Sequence, residues 1–138
     1  MAVHTRLADA LLGTIVAVLT APTGLGAGLA GWVAARRSGG AVAGTVTGAV
    51  VGLVGAAPWA ALVYLASAGA IDPVGYHEGL IHVGINPAAP ETFVLWQEVG
   101  LAVLVGGIVV AAAAAGGFVA GSAADVAGEL RSDLTEAV

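Results

Sequence analysis

The segment Gly39–Gly55, "GGAVAGTVTGAVVGLVG", places glycine at every fourth position: Gly40, Gly44, Gly48 and Gly52. In a water-exposed helix each such glycine costs about 1 kcal/mol relative to alanine. Residues four apart share one helix face, so the row forms a smooth groove that Ala56 and Ala60 continue. In lipid, helices associate through van der Waals contact and weak interhelical hydrogen bonds, and small residues let backbones approach. The helix keeps its own backbone bonds there, because lipid offers no competing partners. The row therefore reads as the packing surface of a membrane helix. Gly24, Gly28 and Gly31 form a second such face, and Ala113, Gly117 and Gly121 a third.

Composition points to the same environment. Of 138 residues, 59% are hydrophobic and 9% charged, with 32 alanines and 22 glycines. The mean hydropathy is +0.98. A soluble domain carries roughly 25% charged residues, so this chain has too little polar surface to coat a soluble globule. Cysteine is absent, which excludes disulfides, thiolate metal sites and cysteine nucleophiles. Lysine is absent too, and Arg6, Arg36, Arg37 and Arg131 face nine acids, for a net charge of −5. Such a balance speaks against a nucleic-acid partner and against a polybasic lipid anchor.

Charges divide the chain into three apolar runs. Asp9 and Arg36 bracket 26 uncharged residues, Arg37 and Asp72 bracket 34, and Glu98 and Asp125 bracket 26. Each exceeds the roughly 20 residues that a spanning helix needs. Arg6 followed by "LLGTIVAVL" imitates a signal peptide, but Pro22 after Ala21 blocks most cleavage, so the segment reads as an uncleaved membrane helix. Within the first run, "TAPTGLG" (Thr20–Gly26) interrupts the helix. Residues 7–35 are then either a kinked span or a hairpin. The hairpin is favoured because it gathers every arginine on one side, as the positive-inside tendency prefers. The expected organisation is one membrane domain over 1–138. It comprises the broken helix or hairpin at 7–35, a long glycine-striped helix at 39–71, an outer loop at 72–95, a membrane helix at 96–124 and an acidic amphipathic tail at 125–138. This is an all-α polytopic bundle of three to four membrane helices, with both termini cytoplasmic and 72–95 outside. Trp32, Trp59 and Trp96 suit interfacial positions, and for Trp59 a place packed between helices is equally open. Val126, Leu130, Leu134 and Val138 recur at four-residue spacing in the tail, either as a frayed helical end or as a docking face.

Chemistry is sparse. "GAGLAG" (Gly26–Gly31) matches the dinucleotide fingerprint but lacks the preceding strand and the acid about 20 residues on. His77, Glu78 and His82 are the residues closest to a metal set, and a helical turn over Tyr76–Val83 would put Glu78 and His82 on one face. Their spacing fits no zinc signature, so polar residues of an exposed loop are the favoured reading and no metal is expected. None of the three runs contains Asp, Glu, Lys, Arg or His, which argues against intramembrane catalysis and ion coupling. No cofactor is expected.

The block "GLAGWVAARRSGGAVAGTVTGAVVGLVGA", Gly28–Ala56, resembles a family of small haloarchaeal glycine-rich multi-spanning membrane proteins of unknown function. The likeness covers the first half of the chain. It implies a halophilic archaeal source and a membrane location, and it carries no activity and no site residues. The functional expectation is a non-enzymatic accessory or assembly subunit of a larger membrane complex, with lipid and other membrane subunits or itself as partners. The alternative is a homo-oligomeric channel or passive pore whose subunits meet at the helix-packing glycines Gly40, Gly44, Gly48, Gly52, Gly117 and Gly121.

Overall fold

The computed structural model describes residues 2–20, 25–72, 74–78, 81–85 and 92–136, with side chains at 7–20, 25–72 and 92–134. These residues form four helices and one β-hairpin: α1 (Ala2–Thr20), α2 (Leu25–Ala35), α3 (Ala41–Ser67), β1 (Val74–Glu78), β2 (Ile81–Ile85) and α4 (Leu95–Glu136).

The first apolar run is two helices packed against each other. Asp9 of α1 meets Arg36 and Arg37 just beyond α2, and Gly13 lies against Ala30 and Ala34, so the two run antiparallel. Gly24 and the rest of the connection at 21–24 lie outside the described residues. Ala17 packs against Gly55, which sets α1 alongside α3. Helices α3 and α4 run antiparallel, from Ala41 beside Gly121 to Ala56 and Ala60 beside Gly106. α2 also lies on α4, with Gly28 against Gly116 and Gly31 against Ala113. Consecutive helices thus alternate in direction, and α1 and α4 flank the touching α2 and α3.

Each end of α3 has a sequence-encoded stop. Gly40 sits at φ +118°, where a side chain would strain the backbone, and directly precedes the first turn. At the other end Gly69 takes φ +66°. Its N–H donates to the Ala66 carbonyl at 3.1 Å, and the Ala70 N–H donates to Leu65 at 2.8 Å. That pair of bonds is a Schellman closure, which needs a left-handed residue at this point. At the start of α4 the Gln97 side chain accepts from the Val94 N–H at 3.0 Å, one half of a capping box.

α3 and α4 are each long and apolar enough to cross a membrane. Only 33% and 22% of their most apolar 18-residue windows are buried, whereas the core helix of a soluble protein would be mostly buried. Burial falls mostly on small residues along the seams: Ala17, Ala27, Ala30, Ala35 and Ala113 are fully covered, joined by Val51, Val63 and Val109. Leucines, valines and isoleucines on all four helices face outward.

Two expectations change. The tail at 125–138 is not a separate element. α4 continues without a break to Glu136, 42 residues or about 63 Å. The segment 72–95, expected as a loop with a helical turn at 76–83, contains an antiparallel hairpin with His77 opposite His82 and Glu78 opposite Ile81. The cause is period-two patterning. Val74 and Tyr76 alternate on one run, and Ile81, Val83 and Ile85 on the next, in residue types that favour strands.

Candidate functional site

The seam between α3 and α4 is built of glycines that leave no room for a side chain. A Cβ on Gly44 would run into the Gly117 carbonyl oxygen, and one on Gly117 would run into that of Gly44. Gly48 meets the Ala113 carbonyl in the same way, and Gly121 meets that of Gly40. At Gly52 an added Cβ would lie 2.8 Å from the Ala113 Cβ and 3.0 Å from the Val110 Cα. Gly40 faces the Asp125 carboxylate, with Oδ1 3.0 Å from where its Cβ would be. The contacts of Gly44, Gly48, Gly117 and Gly121 are backbone to backbone, so neither partner can yield by changing rotamer. On the open side of the same seam lies an apolar groove of about 750 Å³, lined by Leu53, Ala57, Tyr64, Val103, Gly106 and Val110 among others.

Charged residues gather at one end of this seam. Asp9 is only 3% exposed. Arg36 Nη2 donates to its Oδ1 at 2.5 Å and Arg37 Nη1 to its Oδ2 at 2.8 Å, so both carboxylate oxygens are held. The hydrogen bond and charge of Asp9 raise the Arg36 guanidinium above its ordinary value. Beside this cluster the Ala41 N–H donates to Asp125 Oδ2 at 3.0 Å. Gly40 has no side chain with which to cap α3, so an acid 84 residues away does so, and it favours the positive end of the helix dipole.

Several hydroxyls of the apolar runs are engaged by their own helices. Thr14, Thr20, Thr45 and Thr47 each donate to the carbonyl four residues back, and Ser67 donates to Tyr64. Trp59 is packed between helices. Its indole N–H donates to the Val18 carbonyl at 2.6 Å, one of the last four carbonyls of α1, which have no partner in their own helix. Trp32 and Trp96 are exposed.

The side chains of His77, Glu78 and His82 lie outside the described residues. Their backbone is extended rather than helical, so the shared helical face on which a metal set was considered is not formed. Among the described residues no three His, Cys, Asp or Glu side chains converge on one point.

Sequence reasoning missed Asp9 and Asp125 as structural anchors. One signal was available. Asp9 is the sole acid before Asp72, and "ARR" follows where a returning hairpin would bring it back. No protein-family model, curated protein or solved structure matches this chain.

Proposed function

We propose that this chain is a small non-enzymatic membrane protein that works through helix packing as an accessory or assembly subunit of a larger membrane complex. The observation that carries the reading is where the small residues go. The glycines of α3 and α4 meet each other inside one chain, so the bundle closes by itself. Large apolar side chains such as Leu53, Val103, Leu104, Ile108 and Phe118 are left facing outward, which suits lipid and the helices of neighbouring subunits. The groove at Leu53 and Val103 adds a concave apolar surface for such a helix. A homo-oligomeric pore would need the glycine rows at subunit contacts, where the chain's own helices already lie.

In this reading all four helices are membrane-embedded. Arg36 and Arg37 stand at the end where α4 emerges toward Arg131, and the first turns of α1, with Arg6, extend beyond Asp9 on that side. The positive-inside tendency makes that end cytoplasmic and sets the β-hairpin outside. The source is a halophilic archaeon, in keeping with the resemblance of Gly28–Ala56.

The test is the native mass of the gently solubilised protein from its own membrane, with every co-eluting chain identified. A larger assembly with unrelated chains in fixed ratio is expected. A monomer overturns the reading. A pure homo-oligomer that renders liposomes conductive replaces it with the pore.

A further inference from the structure

From Asp125 to Leu134 every side chain of α4 is exposed, so the helix projects from the bundle for about 14 Å. Val126, Leu130 and Leu134 recur at four-residue spacing and are 56%, 60% and 71% exposed. Residues at that spacing share one helix face, so they form an exposed apolar stripe on which no other described residue packs. A second row, Asp125, Glu129 and Asp133, runs parallel one residue earlier and edges the stripe with acid. Asp125 is tied to Ala41, while Glu129 and Asp133 stand beyond the bundle. Like charges four apart destabilise an isolated helix, so this row costs the free chain stability that a cationic neighbour would restore. Residues 125–136 carry four acids and one arginine. Two copies of this segment would therefore repel, and an anionic lipid surface would repel it too.

We infer that the projecting end of α4 is a docking helix for a basic amphipathic helix of a partner protein. Leucine-type side chains of the partner would cover Val126, Leu130 and Leu134, and its lysines or arginines would face Glu129 and Asp133. This deepens the accessory-subunit reading and rests on it for the existence of a partner.

The test is photo-crosslinking of the full chain in its host membrane, with a photoreactive residue at Leu134 or, in a separate variant, at Val103 in the membrane groove. The expected result is a heterologous adduct at Leu134 whose crosslinked peptide is amphipathic and net basic. Its yield should fall about fivefold or more when Glu129→Lys and Asp133→Lys are combined, since two exposed ion pairs become two repulsions. The bundle should remain folded, because both acids lie outside it. A self-adduct, a lipid adduct, an acidic partner peptide or no adduct at Leu134 overturns the inference. A heterologous adduct at Val103 with none at Leu134 overturns it while leaving the accessory reading in place.

Discussion

Gly44 and Gly117 meet reciprocally: a methyl group on either would strike the other's carbonyl oxygen. Relief would require the α3 and α4 backbones to separate, which loosens the contacts at Gly48 and Gly121 as well. Gly44→Ala and Gly117→Ala should each destabilise the protein by about 1–3 kcal/mol, the usual cost of overpacking a tight contact. Gly48→Leu should be worse than either. Val50→Leu, on an exposed face, and Gly107→Ala, where an added Cβ meets nothing within 4 Å, should be tolerated. Thermal unfolding in detergent compares them, and equal tolerance at Gly48 and Val50 would disprove the seam.

The Asp9 carboxylate is shared between Arg36 and Arg37, so either arginine can partly stand in for the other. Arg36→Ala and Arg37→Ala should each be mild, whereas the double variant should lose more than the two losses added, because it leaves a buried carboxylate unpaired. Asp9→Asn should lose both ion pairs at once and approach the double variant in stability. Thermal unfolding in detergent compares the four variants. Losses in the double variant that merely add would refute the shared pairing.

Asp125 caps a helix to which it does not belong. Asp125→Ala should cost about 1 kcal/mol and raise amide exchange over the first turn of α3, at Ala41 to Gly44, by roughly fivefold. Asp125→Asn keeps an acceptor and should retain most of that protection. Unchanged exchange in Asp125→Ala would show that the 3.0 Å contact to Ala41 contributes nothing.

Trp59→Phe preserves the ring but removes the donor to the Val18 carbonyl. An orphaned buried acceptor costs about 1–3 kcal/mol. The loss should appear in thermal unfolding and should exceed that of Trp96→Phe, since Trp96 is exposed. Similar losses at the two positions would place Trp59 at an interface instead.

Orientation is measurable because the chain has no native cysteine. Ser38→Cys, at the arginine end, should resist a membrane-impermeant thiol reagent in intact cells and react after lysis. Asp72→Cys, at the hairpin end, should react in both. The opposite pattern would invert the topology.

Much of the fold is legible in local pattern. The charge-free runs locate α3 and the apolar part of α4, and "TAPTGLG" marks the break between α1 and α2. The hairpin strands at 74–78 and 81–85 are legible in the alternation of Val74 with Tyr76 and of Ile81, Val83 and Ile85, a period of two that a search for helical spacing does not register. The continuation of α4 to Glu136 follows from the absence of any breaker after Gly128.

The sequence by itself decides which surfaces suit lipid, because lipid compatibility is a sum over side chains and needs no knowledge of neighbours. A chain with 9% charged residues and a glycine row every four positions has to bury its backbone and bare its leucines. Only the tertiary structure decided which surface each row would meet. Gly44 could have faced another subunit, and it faces Gly117, 73 positions along the same chain. Asp9 could have been an ordinary end charge, and the returning hairpin buries it under two arginines. Pairing of this kind depends on how helices cross and how closely their backbones approach. No residue carries that information locally, since a small-residue face fits any other small-residue face.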